Sequence, residues 1–147
     1  MEISIPKNWP IRKSYTIIFC FLQDLIESGN KFLCFAHHAT MMNTIADTLN
    51  DAQVHFIRID GGTSSSMRKT YCDAFQTDDN VRVALLSITA ANSGLTLTAA
   101  QLVVFAELFW NPGILTQAED RAHRIGQTDC VTVQYLVATG KALMIEL

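Results

Sequence analysis

The stretch with the sharpest chemistry is Gln117-Ala118-Glu119-Asp120-Arg121-Ala122-His123-Arg124-Ile125-Gly126-Gln127. At helical spacing Gln117, Arg121 and Arg124 fall at i, i+4 and i+7 and share one stripe. Leu115, Ala118, Ala122 and Ile125 form an apolar stripe about 100° away. Two guanidiniums and an amide therefore point one way, beside a face that is to be buried. Like charges held close cost energy unless an anion is expected there. Arginine suits that task, because its planar donors match phosphate oxygens two at a time. A solvated charged face is the plain alternative, since Asp120–Arg124 and Glu119–His123 are i,i+4 pairs that would satisfy it. Gly126, just past the helix, permits a left-handed stop.

Three further stretches carry polar groups that a ligand could use. Ser87 to Leu97 (Ser-Ile-Thr-Ala-Ala-Asn-Ser-Gly-Leu-Thr-Leu) follows an apolar run and is built of small residues, Gly94 among them. Small side chains let a backbone approach a ligand closely, and hydroxyls and free amides at a helix start bind phosphate oxygens. An ordinary loop under a sheet would look the same. Arg58-Ile59-Asp60-Gly61-Gly62-Thr63-Ser64 through Arg68 is a strand, a tight turn and a hydroxyl-capped helix start. Here Ser64 or Ser65 could simply cap the helix. Glu107-Leu108-Phe109-Trp110-Asn111-Pro112 places a tryptophan in a polar turn, as a hydrophobic staple or a stacking platform.

Other chemistries are unsupported. His37 and His38 are adjacent and cannot both face one metal from an extended strand end. Lys69-Thr70 is not the end of a P-loop, because Thr63 and Arg68 stand where its two glycines belong. There is no G-x-G-x-x-G, and no G-x-S-x-G elbow. The 147 residues carry a net charge of −3, so any nucleic-acid contact must be local. Hydrophobic residues make up 49% and charged ones 17%, which is globular rather than disordered composition. Cys20, Cys34, Cys72 and Cys130 show no C-x-x-C spacing and read as reduced core thiols. The apolar run Tyr15 to Leu22 is too short to span a bilayer and lacks a cleavage site, so no membrane partner is expected.

The elements that must position these groups alternate along the chain. Ser14 to Gly29 reads as a helix, with Ile17, Ile18, Phe21, Leu22, Leu25 and Ile26 on one face. Lys31–Ala36, Val54–Ile59, Val81–Leu86, Leu102–Ala106 and Val131–Val137 read as strands, with His55 half-buried in the second. Thr40–Asn50, Ser64–Gln76 and Ile114–Ile125 read as helices, after a turn over Trp110–Gly113 in the last case. In the second of these, Met67, Tyr71 and Phe75 are four apart and are expected inward. Continuous apolar strands separated by helices predict an open parallel α/β sheet. In such sheets ligands sit at the carboxyl ends of the strands, which is where the polar stretches fall.

Together these stretches resemble one family, the superfamily 2 helicases in their SWI/SNF-related form. Gln117-x-x-x-Arg121-x-x-Arg124-x-Gly126-Gln127 is similar to motif VI, Ser87 to Leu97 to motif V, and Phe35-Ala36-His37-His38 to motif IV. Arg58 through Arg68 is similar to the block that follows motif IV, and Trp110-Asn111-Pro112 to the family's W-N-P turn. The matches stand in family order over about residues 31–140. The wording of Phe35–His38, Leu86–Asn92 and Val104–Trp110 is similar to the HepA-related annealing-helicase branch. Other remodellers usually carry Asp where Glu107 stands and a basic residue where Ala90 stands.

The resemblance implies a RecA-like α/β lobe, an open parallel sheet with helices on both faces. It implies the second of two lobes in a nuclear, ATP-driven translocase that rewinds DNA and remodels replication forks. The first, N-terminal ATPase lobe would supply the Walker A lysine and the acidic Mg²⁺ box, neither of which is present here. Arg121 and Arg124 would be the catalytic arginine fingers, and Gly94, Gln117, Arg121 and Arg124 the ATP contacts. His37, Gly61, Ser64, Arg68, Ser87, Thr89, Trp110 and Asn111 would contact DNA at forks or single/double-strand junctions. Mg²⁺ would be shared with the first lobe, with no metal bound by this one. The expected division is a lead-in over 1–13, the lobe over 14–140 and a truncated or divergent tail over 141–147. Alone, the chain is expected not to hydrolyse ATP. Two other classes fit less of the sequence. One is an orphan lobe that docks a protein partner. The other is a phospho-receiver domain, which needs an acidic cluster where His37-His38 stand.

Overall fold

The computed structural model describes residues 13–93, 95, 97–107, 113, 116, 132–139 and 141–146. The chain runs α1 (Lys13–Ser28), β1 (Phe32–Ala36), α2 (Ala39–Asp51), β2 (His55–Ile59), α3 (Ser65–Thr77) and β3 (Val81–Ser87). A short 3-10 helix (Ile88–Ser93) follows, then β4 (Leu102–Phe105), β5 (Thr132–Thr139) and β6 (Lys141–Glu146). The six strands form one sheet in the order β2-β3-β1-β4-β5-β6. The pairs β2–β3, β3–β1, β1–β4 and β4–β5 are all parallel. The expected RecA-like α/β architecture is therefore present.

Alternation along the strands builds two cores, one on each face of the sheet. Leu33 and Phe35 of β1, Ala84 and Leu86 of β3, and Val103 and Phe105 of β4 pack with Cys72 and Phe75 of α3. Their chain neighbours Phe32 and Cys34, Val83 and Leu85, and Val104 turn the other way. They pack with Ile18, Phe21 and Leu22 of α1 and with Met41, Met42, Ile45 and Leu49 of α2. Because successive side chains point to opposite faces, a central strand buried on both must be apolar throughout, and β1 is buried at all five positions. On the α3 face Phe35, Phe105 and Tyr135 stack across β1, β4 and β5, with centroids 5.1 and 4.8 Å apart. That stack ties the strands whose ends carry the candidate site.

Helix ends follow local chemistry. The α1 helix stops at Gly29, whose φ of +80° is open to glycine at little cost. Ser64 caps α3, its Oγ accepting from the Met67 N–H at 3.4 Å. Three expectations are corrected. Met67 is 47% exposed, and the buried stripe of α3 runs instead through Cys72 and Phe75, with Tyr71 partly covered. Met67 sits in the first turn of α3, ahead of the turns that carry the buried Cys72 and Phe75. His55 opens the edge strand β2 and is exposed, not half-buried. Position 113 is already helical, not part of the turn.

The sheet also has a sixth strand, where the sequence suggested only a tail. β6 pairs antiparallel with β5, from Thr139↔Lys141 to Gln134↔Glu146. An antiparallel neighbour needs only a tight connection, whereas each parallel one needs a crossover. That is why a segment with no helix before it can still join the sheet. Among the described residues, no helix is long and apolar enough to cross a membrane.

Candidate functional site at the carboxyl edge of the sheet

Four polar segments line the carboxyl edge in strand order. The Asp60 turn follows β2, Ser87–Thr89 end β3, His37–His38 follow β1, and Glu107 follows β4. Neighbouring strands are about 4.8 Å apart, so the row is on the order of 14 Å wide.

The Asp60 turn is built from local bonds. Asp60 Oδ1 accepts from the Gly62 N–H at 3.0 Å and from the Thr63 hydroxyl at 3.4 Å. The Thr63 hydroxyl in turn accepts from the Asp60 N–H at 3.1 Å. On the other side, Asp60 Oδ2 accepts from Arg58 Nε at 3.2 Å, and Arg58 Nη1 donates to Asn43 Oδ1 of α2 at 2.8 Å. Arg68 reaches back from α3 to the carbonyls of Thr63 at 2.8 Å and Asp60 at 3.1 Å. The turn is thus clamped from both flanks. Burial raises the Asp60 pKa, but the Gly62 N–H, the hydrogen bond and charge of Arg58 and the Thr63 hydroxyl outweigh it and leave the group below the ordinary aspartate value.

Gly61 and Gly62 stand at the tip of this turn. Neither has a left-handed φ, and a Cβ on Gly61 would meet nothing within 4 Å. The lobe itself does not require glycine at 61, so the bare backbone there faces open space.

Ser87 is buried, and its hydroxyl accepts from the Ala90 N–H at 3.1 Å, which caps the 3-10 helix. It lies 3.2 Å from the Thr89 hydroxyl, and Thr89 is exposed. Of this pair, Ser87 fixes the loop and Thr89 presents the outward group.

At the end of β1 the backbone turns through His37 and His38 into α2. Glu107 Oε2 accepts from both the His37 N–H and the His38 N–H, each at 2.8 Å. Glu107 Oε1 lies 2.9 Å from His38 Nδ1. Burial raises the Glu107 pKa. The backbone and ring bonds from His38, the His37 N–H and the His38 charge outweigh that rise, and the net position is below the ordinary glutamate value.

The structure brings His37, Gly61, Ser64, Arg68, Ser87 and Thr89 to one edge of the sheet. Gly94, Trp110, Asn111, Gln117, Arg121 and Arg124 lie outside the described residues. Sequence reasoning missed the role of Glu107 and of the Arg58–Asn43 bridge. The available signal was a lone carboxylate directly after a buried strand. Among the described residues, no group of three His, Cys, Asp or Glu side chains could hold a metal.

The model of the helicase conserved C-terminal domain matches residues 15–126. The frog (Xenopus tropicalis) SWI/SNF-related matrix-associated actin-dependent regulator of chromatin subfamily A-like protein 1 is 58% identical over 123 residues, which is 83% of this chain and 13% of that protein. The human DNA annealing helicase and endonuclease ZRANB3 is 54% identical over 110 residues, 75% of this chain and 10% of that protein. The chain thus spans a small part of the relatives it matches. Among solved structures, the C-terminal part of the Fun30 ATPase domain superposes with a TM-score of 0.77 at 28% identity, covering 82% of this chain and 41% of that one.

Proposed function

The chain belongs to the helicase conserved C-terminal domain family, and we propose that it serves as the second RecA-like lobe of an ATP-driven DNA translocase of the SWI/SNF-related annealing-helicase branch. One observation carries this reading: four polar segments, at Asp60, Ser87–Thr89, His37–His38 and Glu107, form a single row on the carboxyl edge of a sheet with the family's fold. A row on the order of 14 Å matches about four nucleotides at a 3.4 Å rise, the length over which a lobe could grip one strand. Backbone amides at the start of α2, just past His37–His38, and at Gly61, the hydroxyls of Ser64 and Thr89 and the turn braced by Arg68 suit phosphates. Ser87 would act by fixing its loop. Such contacts position a strand without reading its sequence. Trp110 and Asn111 would extend the track, and forks or single/double-strand junctions would be the DNA gripped.

ATP would lie between this lobe and an N-terminal ATPase lobe. Gly94 and Gln117 would contact the nucleotide, and Arg121 and Arg124 would approach its γ-phosphate as arginine fingers. Contacts of that class are worth about 10³–10⁵ in rate. Because they form only when two lobes close, hydrolysis would be coupled to domain motion and hence to stepping. Mg²⁺ would be shared with the N-terminal lobe, whose acidic box would hold it. The lobe is assigned to the residues that follow a lead-in over about 1–13, and it takes in β6, which the sequence assigned to a tail. The named role of the chromatin-regulator relatives supports a nuclear location.

The test is turnover. The 147-residue chain alone should show no DNA-stimulated ATPase. In a two-lobed enzyme carrying this lobe, Arg121→Ala or Arg124→Ala should lower that turnover by about 10³-fold or more with folding intact. Near-normal turnover in both variants removes the finger assignment.

A further inference from the structure

We propose that Glu107 is a positioning residue for the DNA strand: its carboxylate sets the His37–His38 corner, and so the way His37 and the start of α2 meet phosphate. This rests on the DNA reading above and adds a residue to it. The geometry begins in the sheet. β4 lies beside β1 in register, Phe35↔Phe105, and the Ala106 N–H extends the ladder to the Phe35 carbonyl at 2.9 Å. The next side chain of that strand end is Glu107, which is delivered to the corner where β1 stops.

One carboxylate then makes all three bonds. Oε2 takes both backbone N–H groups at 2.8 Å, and Oε1 meets the His38 ring at 2.9 Å. His38 is the N-cap residue of α2 and makes no side-chain cap bond of its own. The corner is therefore held from 69 and 70 residues away in sequence and not by a local cap. The holder is covered and the held residue is presented, with the Glu107 side chain 19% exposed and that of His38 67%.

Charge makes the arrangement specific. A free carboxylate beside a phosphate track would repel the strand. Here both oxygens are engaged at the corner, Oε2 by two backbone N–H groups and Oε1 by the His38 ring, and the carboxylate is largely covered. Length matters as much as charge. Glutamine at 107 keeps the reach, its carbonyl oxygen can accept both amides, and its NH₂ can face the other tautomer of His38. Aspartate keeps the charge but is shorter by one methylene, roughly 1.5 Å, and leaves the 2.8 Å bonds unmade.

The 147-residue chain and its Glu107→Ala, Glu107→Asp and Glu107→Gln variants are to be compared by amide NMR, thermal melting and fluorescence anisotropy with a short forked DNA at low salt. The Ala and Asp variants should release the His37 and His38 amides to exchange and weaken DNA binding roughly tenfold or more. The Gln variant should restore most of both. Asp behaving as wild type in both readouts overturns the geometric role. Unchanged affinity in the Ala variant, with both amides released, reduces Glu107 to a brace of the fold. Should the Ala variant fail to fold, the Asp–Gln pair decides by the same criteria. A wild-type chain with no affinity for the fork overturns the DNA reading, and the positioning role with it. That outcome differs from binding that is insensitive to Glu107.

Discussion

Two corners of the carboxyl edge do similar jobs by opposite means. The Asp60 turn is held within its own neighbourhood, by Gly62, Thr63 and Arg68 and by Arg58, which reaches only as far as Asn43. The His37–His38 corner is held by Glu107, far along the chain, and exists only because β1 and β4 are neighbours. The first corner can form wherever its residues are. The second is a product of the finished sheet. The lobe thus has one candidate contact region fixed locally and another tied to the sheet's centre.

The difference can be broken at the centre first. Phe105 is fully buried and stacked between Phe35 and Tyr135. Phe105→Ala should cost about 3–5 kcal/mol in chemical denaturation. In hydrogen exchange it should loosen the His37 and His38 amides more than the Gly62 amide. Equal loosening of both would erase the distinction between the corners.

Acid should separate them less sharply. Both carboxyls sit below their ordinary values, so each stabilises the fold fully above the unfolded value of about 4 and progressively less as pH falls through its folded value. Stability should therefore be flat near neutrality and decline below about pH 4. Glu107→Gln should flatten part of that decline in melts recorded across the range, and a profile identical to wild type would deny Glu107 its depressed pKa.

The smallest effect belongs at the tip of the local corner. Gly61→Ala should change stability by no more than about 0.5 kcal/mol, since its Cβ enters open space at an ordinary φ. If the backbone there meets a strand, DNA affinity should still fall. A large loss of stability would show that the turn needs glycine for itself.

Much of the scaffold was legible because its signals are local. Apolar runs gave the five parallel strands, and the same alternation that buries Phe35 on one face and Cys34 on the other made β1 continuous. Ser64 announced its own cap. Met67 misled because a helical stripe says which residues share a face, but not how far the sheet beneath extends. β6 was missed because seven residues without a crossover carry no α/β signature. A lone carboxylate after a buried strand marked Glu107, but its partners could not be read, since nothing in a sequence states which strand lies beside which. The candidate track was legible as residue types, and its order along the edge came from the sheet.

The most direct test of the account is an amide-shift titration of the chain with a short forked DNA at two salt concentrations. The account predicts salt-sensitive shifts gathered at residues 37–38, 61–64 and 87–89, on the carboxyl edge. Shifts gathered instead at the opposite edge, around Lys31 and Arg82, would contradict it.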